Sequence, residues 1–283
     1  MRYAFFPGCS YHGSAGYRES TEAVVAKLGI NLVEIEDWNC CGATVIYGES
    51  RFKATALVAR IFALAEATGF SEIVTGCNAC YTTLRKAAKI ISHDKDYLKR
   101  INNLLQEEGL SLKKEIKIRH LADVLINDVP EDLWQENISA DHSNINVAAY
   151  YGCQMTRPWG EIDNPERPEL LETFFKRLGF GVTTHSAGTL CCGASLAVPH
   201  AKDCKPLTGR IIREIGKKGG DIITTVCPLC QFNLDNGQKY SSAPDIPVTF
   251  FTQIAGLALG ISPTALGFNK PLISTRNVLS RSL

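Results

Sequence analysis

The sequence predicts an α/β fold of two pseudo-symmetric tandem domains, each a small parallel sheet with flanking helices. Short apolar runs alternate with amphipathic segments, this order recurs about 150 residues later, and the cysteines recur with it. Strands that alternate with helices imply parallel pairing through crossover connections. A repeat of this length indicates duplication of a whole domain and not a solenoid.

Each half predicts the same order of elements. In the first half we expect strands over 3–6, 31–35 and 72–75, and helices over 15–28 and 51–68. In the second half the matching strands are 147–151, 180–184 and 221–225, and the matching helices are 168–178 and 201–215. A further helix begins at each Cys-x-x-Cys motif. The charged stretch 92–144 is interpreted as the end of the first domain plus a linker, which gives domains 1–144 and 145–283.

The bulk composition is that of an ordinary globular protein. Of the 283 residues, 45% are hydrophobic and 21% are charged, and the formal net charge is +1. No field of one sign is present to attract nucleic acid, so we expect no nucleic-acid partner. The N-terminal apolar stretch is too short for a signal peptide, and no window has the roughly 18 apolar residues of a spanning helix. We therefore expect a cytoplasmic protein with no direct membrane span.

Eleven cysteines are the unusual feature of the chain. In a reducing compartment such cysteines more often bind metal or carry out redox chemistry than form structural disulfides. Ten of them form one pattern used twice: a lone cysteine, a Cys-Cys-Gly and a Cys-x-x-Cys, each after a predicted strand. The two sets are Cys9, Cys40, Cys41, Cys77 and Cys80, then Cys153, Cys191, Cys192, Cys227 and Cys230. Ligands of open α/β sheets bind beyond the carboxyl ends of the strands, so three strand ends can bring each set together.

Five thiolates in one set favour an iron–sulfur site. Thiolates are soft donors that suit iron–sulfur clusters, zinc or cuprous copper. Structural zinc is normally closed by four ligands, often with histidine, and an ordinary cubane cluster uses four cysteines. The fifth thiolate indicates an unusual cluster or a cysteine left for redox chemistry. Zinc binding remains an alternative, and a single motif read alone also fits a dithiol or two buried cysteines.

Several other residues have a structural and a functional interpretation. Cys204 lies in a predicted helix without a counterpart in the first half, so we expect a buried small side chain. His142 lies in a polar stretch and is expected to be solvated. Arg157, Arg167 and Lys176 form either an anion site near Cys153 or a solvated face. Neither a dinucleotide fingerprint nor a phosphate loop is present, so a flavin or nucleotide would belong to a partner.

The duplicated cysteine pattern resembles the cysteine-rich domain of the B-type subunit of heterodisulfide reductase, over nearly the whole chain. The matching motifs include Phe6-Pro7-Gly8-Cys9, Tyr151-Gly152-Cys153 and Cys227-Pro228-Leu229-Cys230-Gln231. The resemblance implies that each set of five cysteines binds one noncubane [4Fe–4S] cluster, with no catalytic residue beyond these ligands. It also implies that a disulfide substrate, such as the heterodisulfide of coenzymes M and B, is split with one thiolate going to each cluster.

The same resemblance implies partners and leaves related functions open. Electrons would come from a ferredoxin-like [4Fe–4S] subunit, which is supplied by a separate flavin-containing subunit. The reaction could also run in reverse and form the disulfide. Two alternatives are a subunit of the sulfur-oxidising version of this complex, and an electron-transfer and membrane-attachment subunit of a succinate dehydrogenase or fumarate reductase.

Overall fold

The computed structural model describes residues 1–43, 45–139, 141–240 and 245–281. It confirms the predicted α/β class, with two four-stranded parallel sheets and flanking helices. In chain order the strands and α-helices are β1 (Arg2–Phe5), α1 (Tyr17–Lys27), β2 (Asn31–Glu34), α2 (Val45–Glu49), α3 (Arg51–Ala67), β3 (Glu72–Thr75), α4 (Asn78–His93), α5 (Lys95–Leu105), β4 (Lys117–His120), α6 (Leu121–Asn127), α7 (Glu131–Gln135), β5 (His142–Tyr150), α8 (Leu170–Arg177), β6 (Phe180–Val182), α9 (Ala201–Lys217), β7 (Ile222–Thr225), α10 (Pro228–Gly237), β8 (Val248–Phe250), α11 (Phe251–Ala258) and α12 (Arg276–Leu279). Short 3-10 helices occupy Gln106–Glu108, Ala194–Leu196 and Gln238–Tyr240.

The chain divides into two compact units. The first consists of Met1–Cys9 and Ile30–Val124, and the second of Ser10–Gly29 and Leu125–Leu283. The sheet of the first unit has the order β2-β1-β3-β4, and that of the second has the order β6-β5-β7-β8. The two sheets therefore repeat one topology, as the cysteine pattern predicted. Both central strands of each sheet are buried over most of their length, β5 from Val147 onwards, as parallel strands covered on both faces require.

Helix α1 packs in the second unit although it follows the first strand of the first sheet. Tyr17 stacks on Phe250 with ring centroids 4.3 Å apart, and the hydroxyls of Ser20 and Thr252 lie 2.7 Å apart. A Cβ at Gly16 would lie 2.4 Å from Nε2 of Gln253, so this turn fits closely against α11. The division of the chain into domains 1–144 and 145–283 stays a prediction.

The charged stretch between 92 and 144 contains helices and strands that its polar sequence did not indicate. Helix α5 buries Ile101 and Leu105, which are four residues apart and so lie on one face of the helix. His142, predicted to be solvated, is only 2% exposed, so that prediction is wrong. It begins β5 and stacks on Phe180 with centroids 4.9 Å apart. Over the described residues, the structure contains no helix with the length and apolar character that crossing a membrane requires.

Candidate metal centre

The strand order explains how distant cysteines of the first set converge. Strands β1 and β3 are neighbours in the sheet. The chain runs from β1 to β2 on one side and from β3 to β4 on the other, so the connections after β1 and β3 leave in opposite directions. Cys9 follows β1, and Cys77 follows β3. A hydrogen bond of 2.8 Å from the N–H of Phe6 to the carbonyl of Val74 continues the pairing of these strands towards both cysteines.

The first set of five thiols lies together in the first unit. The sulfurs of Cys41 and Cys80 are 3.4 Å apart, within hydrogen-bond distance. Cys40 also interacts with Cys41, Cys77 interacts with Cys80, and the charge of Cys9 acts on Cys41. Cys41, Cys77 and Cys80 are buried, whereas Cys9 and Cys40 are exposed. The set therefore has a buried side and a side open to solvent.

Gly8 allows the loop with Cys9 to pass close to Cys80. Its φ of +70° lies in the left-handed region, where a residue with a Cβ is disfavoured. A Cβ at this position would lie only 2.9 Å from the sulfur of Cys80. The glycine is thus required both by the backbone conformation and by the approach to a thiol.

The buried thiols of the first set differ in pKa because they share hydrogen bonds with one another. Hydrogen bonds from Cys40 and Cys80 lower the pKa of Cys41 to about 4. The hydrogen bonds of Cys80 with Cys41 and Cys77, together with its burial, raise the pKa of Cys80. One of these two thiols therefore ionises at the expense of the other. All five can be thiolates only if a cationic group compensates their charge.

The second set of thiols repeats this arrangement in the second unit. The sulfurs of Cys192 and Cys230 lie 3.6 Å apart. Cys192, Cys227 and Cys230 are buried, Cys153 is half-buried and Cys191 is exposed. A hydrogen bond between Cys153 and Cys191 raises the pKa of Cys153 and lowers that of Cys191 to about 6. A hydrogen bond from Cys230 likewise lowers the pKa of Cys192.

Both sets suit a cluster held by thiolates. Cys77 occupies the N-cap position of α4 and Cys227 that of α10, where the helix dipole favours negative charge. Each set offers five soft donors, which is the ligand chemistry of iron–sulfur clusters. Considering only the residues described, no three or more His, Cys, Asp or Glu side chains converge on the position of a single metal ion. The assignment of the ten cysteines as ligands stays a prediction.

Polar contacts that the sequence did not reveal hold the first vicinal pair. The side-chain N–H₂ of Asn39 donates to the carbonyl oxygens of Cys40 at 3.0 Å and of Leu57 at 3.1 Å. Arg60 donates to the carbonyl oxygen of Asp37 at 2.6 Å and to the carboxylate of Glu108 at 2.6 Å. Its guanidinium also lies 3.4 Å from the side-chain oxygen of Asn39. Asn39 and the guanidinium of Arg60 therefore fix the backbone just before Cys40.

Different residues hold the second vicinal pair. The hydroxyl of Tyr150 donates to the carbonyl of Leu190 at 2.6 Å, and Arg157 donates to the carbonyl of Thr189 at 2.7 Å. Burial and the negative charges of neighbouring thiolates, Cys230 foremost, raise the pKa of Tyr150, which therefore lies beside this set. Tyr150 had a visible signal, since it directly precedes Tyr151-Gly152-Cys153, but nothing in the sequence indicated its hydrogen bond to Leu190.

The arginines near Cys153 do not form the considered anion site. Arg157 is engaged with a backbone carbonyl, as described above. Arg167 and Lys176 line a cavity of about 720 Å³, together with Lys218. The same cavity is lined by acidic side chains, namely Glu166, Glu169, Glu172 and Glu214. Cations and acids are thus mixed there, so no concentrated positive field is available to an anion.

Comparisons with known proteins agree with this duplicated arrangement. A family model described as a cysteine-rich domain (CCG) matches residues 3–85 and 147–235. The chain is 32% identical over 279 residues to the 8-methylmenaquinol:fumarate reductase membrane anchor subunit of Wolinella succinogenes, covering 96% of each chain. It is 29% identical over 291 residues to the B-type subunit of the Ferredoxin/F(420)H(2)-dependent CoB-CoM heterodisulfide reductase of Methanosarcina acetivorans, covering 98% of this chain and 96% of the relative.

A solved structure supports the fold alone. It is the crystal structure of a hypothetical protein from Helicobacter pylori, with a TM-score of 0.77 at 15% sequence identity. The match covers 96% of this chain and 52% of that chain, so the present chain spans about half of the solved one. With the two matched segments and the full-length relatives taken together, this chain belongs to the cysteine-rich (CCG) domain family, carries that domain twice, and has homologues named as B-type subunits of heterodisulfide reductase.

Proposed function

We propose that this chain is the iron–sulfur subunit of a heterodisulfide reductase-type oxidoreductase, with one noncubane [4Fe–4S] cluster in each unit. The observation that supports the proposal is that both units have a complete set of five thiols, with the thiols of the Cys-x-x-Cys and the second cysteine of the vicinal pair buried in each. Full-length similarity to the B-type subunit of a CoB-CoM heterodisulfide reductase supports the reaction class.

The proposed reaction reduces a disulfide to two thiols with two electrons and two protons. Such clusters, when bound, supply single electrons and iron sites at which a substrate sulfur can bind. In the first unit Cys41, Cys77 and Cys80 would anchor a cluster from the buried side. The exposed Cys9 and Cys40 lie on the side that a substrate can reach. Cys191 and the half-buried Cys153 occupy the same places in the second unit.

Two partner proteins belong to the proposal. A ferredoxin-like [4Fe–4S] subunit would deliver electrons one at a time, and a flavin-containing subunit would supply them. The support is that the relative carries the name of one subunit of a larger enzyme, and that this sequence contains no dinucleotide fingerprint of its own.

The deciding measurement is iron and acid-labile sulfide per chain, on protein purified without oxygen. We expect about eight of each, which corresponds to two four-iron clusters. About four of each would overturn the two-cluster reaction, and zinc without sulfide would overturn the redox function. Protein with eight irons is then assayed for reduction of the coenzyme M–coenzyme B heterodisulfide by a reduced dye, with release of free thiols as the readout.

We propose a second candidate because of the fumarate reductase relative at 32% identity. In this role the chain would pass electrons and attach a succinate dehydrogenase or fumarate reductase complex to the membrane. Affinity purification of the tagged chain from its own cells separates the two candidates. Co-purification of fumarate reductase subunits with quinol-dependent fumarate reduction would favour the second. A ferredoxin-like protein and a flavoprotein with heterodisulfide reduction would favour the first. The sulfur-oxidising role stays a prediction from the resemblance.

A further inference from the structure

We infer that Cys204 and Asn233 are positioning residues of the second metal centre, where they fix the peptide unit that joins Cys192 to Gly193. The inference rests on the proposed function for its redox consequence. Both residues are buried, Cys204 near the start of α9 and Asn233 in α10. Cys204 is the cysteine that lies outside the two repeated sets of five.

The contacts of Asn233 carry the first step. Its side-chain N–H₂ donates to the carbonyl oxygen of Cys192 at 2.5 Å. The N–H on the other side of the same peptide unit, that of Gly193, donates to the sulfur of Cys191 at 3.3 Å. Because a peptide unit is planar, holding its carbonyl also fixes the direction of its N–H. Asn233 therefore aims a hydrogen-bond donor at a predicted ligand sulfur.

Cys204 completes this support from behind the turn. Its sulfur lies 3.2 Å from the side-chain oxygen and 3.1 Å from the side-chain nitrogen of Asn233. The carbonyl oxygens of Gly193 and Cys192 are 3.5 and 3.6 Å away. A thiol surrounded by three oxygen acceptors acts as an S–H donor, and it accepts in turn from the amide. The eleventh cysteine thus supports the turn as a thiol and does not add a sixth ligand.

The close fit at Gly193 shows that α9 and the turn depend on each other. Gly193 has a φ of +77°, and a Cβ there would lie 2.9 Å from Leu207 and 3.3 Å from the sulfur of Cys204. Leu207 and Cys204 both belong to α9. The turn therefore rests directly on the first turns of that helix, and a change at Cys204 acts on the turn itself.

The first unit has no matching thiol–amide pair at these positions. Ala54 stands the same number of residues before its Cys-x-x-Cys as Cys204 does, and Thr83 stands where Asn233 does. The hydroxyl of Thr83 donates to the carbonyl of Ala79 in its own helix at 2.8 Å. The support is therefore specific to the second unit, and Thr83 offers a matched control.

The redox consequence has a definite sign. An N–H aimed at a ligand sulfur stabilises the additional negative charge of a reduced cluster, and so raises its reduction potential. Loosening the peptide unit should make reduction of one cluster harder and leave the other unchanged. A purely structural role would lower stability without separating the two clusters in this way.

The test compares wild type with Cys204→Ala, Cys204→Ser, Asn233→Ala and the control Thr83→Ala, all purified without oxygen. Redox titrations followed by electron paramagnetic resonance measure the potential of each cluster. Hydrogen–deuterium exchange measures the amides of Cys191–Ala194. In Cys204→Ala the turn loses the stabilisation of about one hydrogen bond, so these amides should exchange about fivefold faster than in wild type. Cys204→Ser, which keeps a donor, should stay close to wild type.

A negative shift of one potential in Cys204→Ala and Asn233→Ala, with Thr83→Ala unchanged, supports the inference. Loss of half the iron from those two variants alone supports it as well. Wild-type potentials together with wild-type exchange in both variants would overturn it. If the wild type holds no iron and sulfide, the proposed function fails, while the exchange comparison still decides whether Cys204 and Asn233 position the turn.

Discussion

The two vicinal cysteine pairs have the same sequence pattern but are held by different kinds of contact. The pair at Cys40 is supported by Asn39 and by Arg60, whose carboxylate partners Asp37 and Glu108 are largely exposed. In the second unit the corresponding turn is supported by buried neutral groups on α9 and α10 and by the hydroxyl of Tyr150. The duplicated chain has therefore kept its thiols while the residues around them diverged. Two centres with identical donors can in this way acquire different stabilities and potentials.

Replacing one buried thiol in each unit has the largest expected effect on this comparison. Cys80→Ser and Cys230→Ser should each lower the iron content from about eight to about four per chain, because each removes one proposed ligand of one proposed cluster. The paramagnetic signals lost in the two variants should differ. Cys204→Ser, which removes a thiol outside both sets, should keep all the iron. Loss of both clusters from either variant would contradict the independence of the two centres.

Gly8→Ala should empty the first centre and leave the second filled. The new Cβ would meet the sulfur of Cys80 at 2.9 Å, in a backbone conformation that already disfavours it. Gly69→Ala is the matched control, since its φ is +85° but nothing lies within 4 Å of the new Cβ. Both variants should lose about 1–2 kcal/mol in the free energy of unfolding. Only Gly8→Ala should lose iron, and equal iron contents would show that the approach to Cys80 is unimportant.

Arg60→Met and Arg157→Met compare an arginine that pairs closely with two carboxylates and an arginine that donates chiefly to a backbone carbonyl. Arg60→Met should lower the free energy of unfolding by about 1 kcal/mol, and less at high salt, because its partners are exposed carboxylates. Arg157→Met loses a hydrogen bond to a carbonyl and a longer ion pair, 3.9 Å, with the exposed Glu166, so its effect should be smaller and should vary less with salt. Denaturant unfolding at two salt concentrations measures both variants. Equal salt dependence would remove the proposed difference between the supports.

The smallest expected effect is a pH dependence that arises in the second unit. Burial lowers the pKa of His142 in the folded protein below its ordinary value near 6.5. The unfolded chain then binds the proton more readily, so stability is lost as the pH falls below about 6.5. His142→Leu should reduce the difference in unfolding free energy between pH 7.5 and pH 5.5. His185, whose pKa burial also lowers, should keep the rest of the dependence. An unchanged difference in the variant would assign the effect elsewhere.

The sequence predicted three strands of each sheet and missed the fourth, β4 in the first unit and β8 in the second. The strands over 72–75 and 221–225 and the helix over 51–68 agree with the structure to within one residue, because alternating apolar patterns identify them in both halves. The contacts of Asn233 and Cys204 involve a helix and a turn far apart in the chain, so no local pattern reveals them. His142 was misjudged because its polar neighbours conceal the start of a buried strand.

Helix α1 sets the order in which this chain can finish folding. It is synthesised well before its partner helix, because Ser20 contacts Thr252, which lies 232 residues later in the chain. At translation rates of about 5–20 residues per second, that interval is roughly 10–50 seconds. During this time Tyr17 has not met the ring of Phe250 on which it stacks. A nascent chain of this protein thus carries a helix whose docking surface is synthesised much later, and correct folding requires that this helix stay free of other partners until α11 has been made.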